Sequence, residues 1–437
     1  MDKNYINEWL EEWTFKSRDK NRLTHSVHRY PAVFIPDLAQ KIIEMYSNEG
    51  DTVLDIFSGS GTTVVESIAQ KRIGLGIELN PLAHFISEFK FHPMDTDELR
   101  TAIEYFYEWY PQYESESTIS FDNIEFWFHS STIKSISDFV SLTSKYHAKI
   151  NDFFKICLSE ILREVSFCNH SGFKMHRNIK KLETEIHDRV SLLAKIRPVI
   201  ERNYLYVSNY NKLLNSGHIE YAKKSRVFLH DSTVVCEEIA PSSVDLILTS
   251  PPYGDSRTTV AYGQFSRLSM QMLEMKTLKG TKVSQVDNEL LGGRTTSIDP
   301  NVSIVQSLTV QNIQELFLLR AKCASTVEEK KRHLNRLKDI LSFYHDLDLS
   351  IRNASYYLRL GKFFVLVTAS RVVHNTKLHT DQIISEIAHN HGFKLKNIHY
   401  RDIHNKRMPS KVSATNITGE TAPTMTEESI IILKKIR

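Results

Sequence analysis

Hydrophobic residues along the chain fall into seven short runs that alternate with longer amphipathic stretches. Apolar runs of this length, bounded by polar and turn-forming residues, predict β-strands. They lie at Val53–Phe57, Ile73–Glu78, Val227–Leu229, Val244–Thr249, Phe363–Thr368, Leu395–His399 and Ile430–Leu433. Helical patterns follow the first two runs, at Thr62–Gln70 and Pro81–Phe89. The alternation predicts an α/β fold with a mainly parallel sheet covered on both faces, and a polar loop between the last two strands favours an antiparallel end.

Two long segments interrupt the alternation. Residues 93–224 are helical in pattern almost throughout and too long for a connection, so we expect a large helical insertion. Residues 276–360 begin with a Ser-, Thr-, Gly- and Asn-rich stretch and end in charged helices. The predicted division of the chain is therefore 1–92, 93–224, 225–275, 276–360 and 361–437, with the first, third and last parts building the sheet.

Composition narrows the class of protein. With 41% hydrophobic and 24% charged residues, the chain is typical of a folded protein, and no apolar run reaches the ~18 residues of a membrane helix. Acidic residues near the beginning argue against a signal peptide, so we expect a cytoplasmic protein. The four cysteines form no CxxC pair and the histidines show no ligand spacing, which predicts buried thiols and no metal site.

Glycine is scarce, with 15 in 437 residues, yet five glycines fall between Gly50 and Gly76. Within this window a strand ends in Asp55, a small-residue turn follows, a helix begins near Thr62, and a second strand ends in Glu78. Turn glycines expose bare backbone to a ligand, and a helix N-terminus attracts an anionic group. An acid about twenty residues on can accept both hydroxyls of a ribose. The window therefore predicts a site for a nucleoside cofactor.

Two common nucleotide motifs do not fit this window. A dinucleotide fingerprint needs a third glycine three residues after Gly61, and a P-loop needs Gly-Lys-Ser or Gly-Lys-Thr after the turn. A cofactor with a ribose and no pyrophosphate fits better.

A second motif follows the strand Val244–Thr249, where the chain reads Ser250-Pro251-Pro252-Tyr253. Two consecutive prolines stop the strand and fix the backbone without donating an N–H group. The Ser250 side chain and the Pro251 carbonyl are suited to accept hydrogen bonds from an exocyclic amine, and Tyr253 offers a face for stacking on a planar base. A rigid turn with a core tyrosine is the structural alternative.

Together, the two motifs resemble those of the amino-methyltransferases of DNA, which move a methyl group from S-adenosylmethionine to the exocyclic nitrogen of cytosine or adenine. The residues that match the family's cofactor motif, its ribose-binding acid and its catalytic tetrapeptide are Asp55, Phe57, Gly59, Ser60, Gly61, Thr62, Glu78, Asn80, Ser250, Pro251, Pro252 and Tyr253. The resemblance implies a Rossmann-like methyltransferase sheet, S-adenosylmethionine as cofactor and double-stranded DNA as substrate. In this family Ser-Pro-Pro-Tyr is usual for cytosine N4 and Asp-Pro-Pro-Tyr for adenine, with exceptions.

The resemblance extends to other parts of the core. His28–Ile43, with Tyr30 and Pro31, is similar to the segment that closes the methionine end of the cofactor site. Asp231 matches the acid that binds the cofactor's adenine amino group, and the closing antiparallel strands imply a hairpin near the extruded base. Because the target atom is stacked inside duplex DNA, the base must be flipped out.

Basic residues outside the sheet are the candidates for DNA contact, with a solvated charged face as the alternative. They are Lys174, Arg177, Lys180 and Lys181 in the insertion, Arg294 in the loop-rich segment, and Lys406 and Arg407 near the C-terminal strands.

The first hypothesis is a sequence-specific cytosine-N4 DNA methyltransferase that works beside a restriction endonuclease. Adenine N6 or an RNA base remains open as the acceptor, and a fold that binds DNA or cofactor without turnover is the alternative from another class. Cytosine-C5 methylation is rejected, because it needs a cysteine nucleophile and no cysteine follows a proline in a comparable position.

Overall fold

The predicted strands form a single seven-stranded sheet in the computed structural model, which describes residues 13, 15, 22–169, 172–254, 260–293, 295–402, 411–412, 422–423 and 427–437. The strand order is β3-β2-β1-β4-β5-β11-β8. The strands of this sheet are β1 (Thr52–Asp55), β2 (Ile73–Glu78), β3 (Arg226–Leu229), β4 (Val244–Thr249), β5 (Leu358–Thr368), β8 (Phe393–Asp402) and β11 (Glu427–Lys435). Two-stranded ribbons are formed by β6 (Arg371–Val373) with β7 (Thr376–Leu378), and by β9 (Lys411–Val412) with β10 (Ala422–Pro423).

Strand directions confirm the predicted sheet. The pairs β3/β2, β2/β1, β1/β4 and β4/β5 are parallel, whereas β11 runs antiparallel to both β5 and β8. The carboxyl ends of the parallel strands therefore meet at one edge, and β11 begins at that same edge. Ligands of open α/β sheets bind outside this edge, where the strand order reverses beside β1.

The helices of the described chain fall before, between and after the strands. Those of the core are α1 (Pro36–Tyr46), α2 (Thr62–Ala69), α3 (Pro81–Phe91), α10 (Tyr262–Met272) and α14 (Thr380–Asn390). Between β2 and β3 lie α4 (Thr96–Trp109), α5 (Ile124–Trp127), α6 (Ser130–Thr143), α7 (Ala148–Ile161), α8 (Arg189–Leu213) and α9 (Ile219–Lys224). Between α10 and β5 lie α11 (Val286–Glu289), α12 (Leu308–Lys322) and α13 (Val327–Tyr357).

Alternate side chains of the strands pack into two different hydrophobic clusters. Val53 lies with the buried residues of α1, whereas its neighbour Leu54 lies with those of α13 and α14. Successive side chains of a strand point to opposite faces, so helices on both sides of the sheet bury both sets. Each fully buried Leu, Ile or Val contributes about 1.5–3 kcal/mol relative to exposure.

Most of the helices between β2 and β3 share a third cluster with α3 and α10, whereas α9 packs in a separate cluster with α2. Its centre is aromatic, with the Phe106 ring 5.0 Å from Phe139 and 4.8 Å from Phe154. The helical segment therefore packs directly on helices that flank the cofactor motif and the Ser-Pro-Pro-Tyr segment. Within the described residues, no helix has the length and apolar character needed to cross a bilayer.

The prediction of buried thiols is correct for three cysteines and wrong for the fourth. Cys157, Cys168 and Cys236 are buried, but Cys323 is exposed. Cys323 is the C-cap residue of α12.

Candidate active site

A cleft of about 1010 Å³, its open mouth included, lies at the carboxyl ends of β1, β2 and β4. The predicted site residues that line it are Tyr30, Pro31, Asp55, Phe57, Gly59, Ser60, Thr62, Glu78, Asn80, Asp231, Ser250 and Pro252. The other three, Gly61, Pro251 and Tyr253, lie next to lining residues in the chain without contributing to the wall. The fold thus brings the two motifs to the same cavity.

The glycine turn has a left-handed backbone. Gly59 has φ +52° and Gly61 has φ +82°, and Gly61 is the N-cap of α2. A Cβ atom at Gly61 would lie 2.2 Å from Ser87 Oγ and 3.0 Å from Ser87 Cβ on α3. Glycine at 61 is therefore required by both the turn and the close approach of α3.

Gly74 serves packing, in contrast to the turn glycines. A Cβ atom there would lie 2.9 Å from the Cα atom of Val64 in α2. The expectation that the glycine window marks unusual torsion angles or approach to a ligand therefore holds for the turn, while Gly74 lets α2 lie against β2.

Asp55 connects the two motifs. Its carboxylate accepts hydrogen bonds from the Phe57 N–H group (3.0 Å), Thr63 Oγ1 (2.6 Å) and Thr249 Oγ1 (2.5 Å). Burial raises the pKa of this carboxyl group, and the three hydrogen bonds oppose that rise. Because Thr249 immediately precedes Ser250, Asp55 holds the cofactor turn against the end of β4.

Glu78 lies at the tip of β2 with its carboxylate in the cleft. Oε2 accepts the Gly59 N–H and Oε1 accepts the Asn80 N–H, each at 2.7 Å. Burial raises the pKa of Glu78 to about 7. An ionised carboxylate has about four lone-pair sites, so Glu78 retains acceptor capacity for a ribose hydroxyl.

Asn80 has a structural role that its motif position does not reveal. Its side chain caps α3 by accepting the Leu82 N–H at 3.0 Å, and it donates to Ser266 Oγ of α10 at 3.0 Å. The residue therefore ties the cofactor side of the cleft to the helix after the Ser-Pro-Pro-Tyr segment.

Asp231 lies in the wall beyond β3. Its Oδ1 accepts from the N–H and Oγ1 of Thr233 at 3.1 and 2.7 Å, and its Oδ2 forms an ion pair with Lys279 at 3.2 Å. Lys279 belongs to the loop-rich segment, so this segment reaches the cofactor side of the cleft.

The outer wall was missed by the sequence analysis. It consists of Glu289, Leu290, Leu291 and, on α13, Asp346. Asp346 Oδ2 accepts the Gly292 N–H at 2.9 Å and so fixes the turn after Leu291. No local motif marks these residues, because they reach the cleft only through the packing of α11 and α13.

Aromatic rings build the wall near the Ser-Pro-Pro-Tyr segment. Tyr30 stacks on Tyr262 with ring centroids 6.2 Å apart and meets the edge of Phe265 at 5.7 Å. Pro31 continues this wall. The N-terminal segment and α10 therefore close the same side of the cleft.

The tetrapeptide Ser250–Tyr253 is held by the antiparallel end of the sheet. Ser250 Oγ donates to the Val367 carbonyl at 3.0 Å, and the Tyr253 hydroxyl donates to Glu428 Oε1 at 2.8 Å. Burial and the Glu428 charge raise the pKa of Tyr253 well above its ordinary value, so its hydroxyl remains protonated.

The basic residues of the insertion differ in their surroundings. Lys174, Arg177 and Lys180 are exposed, and Arg177 lies 4.3 Å over the Phe126 ring. Lys181 is half-buried, and its Nζ donates to main-chain carbonyls that include Glu164 at 2.7 Å. Its ammonium group therefore binds the turn that follows α7. Arg294, Lys406 and Arg407 lie outside the described residues.

In the described part of the chain, no group of three or more His, Cys, Asp or Glu residues could hold a metal ion.

Comparison with known proteins gives the family. The sequence model of the DNA methylase family N6_N4_Mtase matches residues 2–88. The Type II methyltransferase M.MvaI of Kocuria varians is 34% identical over 452 residues, which cover 98% of this chain and 95% of that protein. The chain therefore belongs to the N4/N6 amino-methyltransferase family, and it is an S-adenosylmethionine-dependent DNA methyltransferase.

More distant relatives are similar over part of the chain. The Type II methyltransferase M.BsoBI of Geobacillus stearothermophilus is 27% identical and covers 58% of this chain and 55% of that protein. Among solved structures, a TehB-like SAM-dependent methyltransferase of Corynebacterium glutamicum has a TM-score of 0.29 and 8% identity, with coverage of 91% and 86%. That structural likeness is too slight to carry an argument.

Proposed function

We propose that this protein transfers the methyl group of S-adenosylmethionine to the N4 amine of a flipped cytosine in double-stranded DNA. The observation that carries the proposal is a serine, and not an aspartate, at position 250 in the cleft wall. The resemblance to the amino-methyltransferases associates this residue with cytosine, and the hydrogen bonding of Ser250 supports the role.

The orientation of the Ser250 hydroxyl suits an acceptor. A hydroxyl group has one hydrogen and two lone pairs. Since the hydrogen is donated to the Val367 carbonyl, the Ser250 oxygen can accept a hydrogen from an incoming amine. Hydrogen bonds from the amine to Ser250 and to the Pro251 carbonyl would draw the nitrogen lone pair out of the ring and aim it at the methyl group.

The chemistry then needs no protein nucleophile. S-Adenosylmethionine supplies a methyl group already activated on sulfur. As the nitrogen–carbon bond forms, the sulfur–carbon bond breaks and its electron pair stays on sulfur. Ser250 is a poor general base, so the surplus proton of the amine leaves to water after transfer. Tyr253 stacks on the extruded base.

On the cofactor side, we assign Glu78 to the ribose hydroxyls and Asp231 to the adenine amino group. Tyr30 and Pro31 close the methionine end. The turn residues Phe57, Gly59, Ser60, Gly61 and Thr62 present backbone to the cofactor, and Asp55 and Asn80 hold the site in shape through their hydrogen bonds.

For the DNA contact, exposure favours Lys174, Arg177 and Lys180 over Lys181, whose ammonium group is taken up by carbonyls. Arg294, Lys406 and Arg407 remain predicted contacts. A cytoplasmic location and a restriction endonuclease partner complete the proposal, and the latter predicts that cells expressing the protein carry DNA that resists one endonuclease.

Mass spectrometry of nucleosides tests the acceptor. DNA and RNA are incubated with the protein and S-adenosylmethionine, digested and analysed. We expect N4-methylcytosine from DNA alone. N6-Methyladenine or a methylated RNA nucleoside would contradict the proposal, and cofactor binding without any methylated product would indicate a binding module.

Substitution of Ser250 tests the mechanism. Ser250→Ala should abolish most transfer while leaving the affinity for S-adenosylmethionine within about twofold, because the residue acts on the acceptor. Ser243→Ala is the matched control, since Ser243 immediately precedes the same strand and donates to the Ala240 carbonyl. Full activity of Ser250→Ala would show that the assigned role is wrong.

A further inference from the structure

The hydroxyl group of Tyr253 is the first member of a buried chain of polar contacts. It donates to Glu428 Oε1 at 2.8 Å, and Glu428 Oε2 forms an ion pair with Arg401 Nε at 3.1 Å. Arg401 is fully buried and also donates to the Trp13 carbonyl at 3.2 Å. Neither Glu428 nor Arg401 belongs to a motif of the cofactor or the tetrapeptide.

The sheet topology explains how residues 175 positions apart meet. Because β11 runs antiparallel to β5, its first residues lie at the edge where β4 ends and the tetrapeptide begins. The register then pairs Glu428 directly with Arg401 of β8. Directly opposed residues on neighbouring strands share a face of the sheet, so both side chains lie on the side of Tyr253.

Burial of the ion pair between Glu428 and Arg401 costs free energy, because both charges lose their hydration. A buried ion pair contributes little more to stability than apolar residues of the same size, whereas loss of one partner leaves an uncompensated charge. The carboxylate has one oxygen for Arg401 and one for the tyrosine, so the ion pair fixes where the tyrosine's acceptor stands. A hydrogen bond to an ionised acceptor is also stronger and more directional than a neutral one.

We propose that Glu428, oriented by Arg401, is a positioning residue that fixes the ring of Tyr253 for stacking on the flipped base. The inference rests on the proposed stacking role of Tyr253 and does not depend on whether the base is cytosine or adenine. Without the hydrogen bond the ring would sample other orientations, and part of the stacking that holds the base in line with the methyl group would be lost.

Two substitutions each remove one partner of the hydrogen bond between Tyr253 and Glu428. Tyr253→Phe keeps the ring and removes the hydroxyl, and Glu428→Ala removes the acceptor. We expect each to lower kcat for methyl incorporation into DNA by about tenfold, the effect of one lost hydrogen bond. The dissociation constant for S-adenosylmethionine should stay within about twofold, since neither residue lines the cofactor cleft.

The variant Glu428→Gln separates positioning from charge compensation. Glutamine keeps an oxygen that accepts from the tyrosine but loses the charge that compensates Arg401. A positioning role predicts that Glu428→Gln recovers most of the activity lost in Glu428→Ala, although both variants melt at a lower temperature than the wild type. A merely structural role predicts equal losses of activity in the two variants.

The double variant Tyr253→Phe/Glu428→Ala completes a double-mutant cycle with the two single variants. If Glu428 acts through Tyr253, the double variant is no slower than Tyr253→Phe alone. Glu427→Ala is the matched control, because Glu427 is the exposed neighbour on the same strand. Additive losses, a Glu428→Gln variant as slow as Glu428→Ala, or full activity of Tyr253→Phe would each overturn the inference.

These measurements count all methyl groups transferred to DNA from radiolabelled S-adenosylmethionine. They therefore test the role of Glu428 even if nucleoside analysis identifies adenine as the acceptor. If Glu428→Ala fails to fold, Tyr253→Phe and Glu428→Gln still test the role of Glu428. Tyr253→Phe leaves the ion pair between Glu428 and Arg401 untouched, and Glu428→Gln keeps the shape of the Glu428 side chain.

Discussion

Protonation of Glu78 should weaken the binding of S-adenosylmethionine. The carboxylate already accepts the N–H groups of Gly59 and Asn80, and its remaining lone pairs are the acceptors assigned to the ribose hydroxyls. Burial raises its pKa from 4.5 to about 7. A proton on Glu78 removes acceptor capacity and adds a donor that faces the hydroxyl hydrogens.

The size of the effect follows from this pKa. Since the cofactor prefers the charged carboxylate, binding lowers the pKa, and affinity rises with pH until Glu78 is ionised. One unit below a pKa of about 7 the group is about nine-tenths protonated, so affinity falls about tenfold for each further pH unit. Between about pH 7 and pH 5 the ionised fraction falls about fiftyfold, which corresponds to a loss of about 2.3 kcal/mol.

Isothermal titration calorimetry from about pH 5 to about pH 9 measures this dependence. Glu78→Gln should bind more weakly and should lack the component that depends on Glu78. The exposed Glu237→Gln serves as the matched control and should reproduce the wild-type curve. An affinity of the wild type that does not change with pH, or a slope that persists in Glu78→Gln, would refute the reasoning.

Three further outcomes are expected. Gly61→Ala places a Cβ atom 2.2 Å from Ser87 Oγ at a residue with a left-handed backbone, so chemical denaturation should show a free energy of unfolding lower by about 1–3 kcal/mol. Calorimetry should show a weaker cofactor affinity, and wild-type values in both assays would contradict the packing argument. Phe106→Ala empties the aromatic cluster and should cost about 3–5 kcal/mol in the same unfolding assay, whereas a cost under about 1 kcal/mol would mean that the cluster repacks. Lys180→Ala should weaken DNA binding in a salt-dependent way and leave the melting temperature unchanged. Lys181→Met should mainly lower the melting temperature, because the carbonyl groups that accept from Lys181 lose their donor. The reverse pattern would contradict this distinction between the two lysines.

Local sequence patterns were enough to predict the strands of the sheet and the glycine turn. The predicted strand Ile73–Glu78 coincides with β2, and the predicted strand Val244–Thr249 coincides with β4. A strand's alternation and a glycine's left-handed backbone depend on a few neighbouring residues, so they can be read from a short window. The two motifs fall at strand ends for the same reason, and the order of the strands then places them in one cleft.

The longer strands exceeded their predicted bounds. β5 extends from Leu358, where the pattern indicated Phe363, and β11 begins at Glu427, where the pattern indicated Ile430. Apart from the buried Leu358, the added residues of β5 and β11 are polar or exposed, and those of β11 pair with β8. This extension matters because it brings Glu428 into the sheet beside Arg401.

By itself, the sequence determined the class of fold and the positions of the glycine turn and the tetrapeptide at the ends of strands. Tertiary structure alone decided that Leu290 and Asp346 line the cleft, that Lys181 binds the turn after α7, and that Glu428 accepts a hydrogen bond from Tyr253. The physical reason is the range of the interactions. Torsion angles and side-chain periodicity are set by adjacent residues, whereas a contact between residues far apart in the chain depends on strand order, register and helix packing, which no single segment encodes.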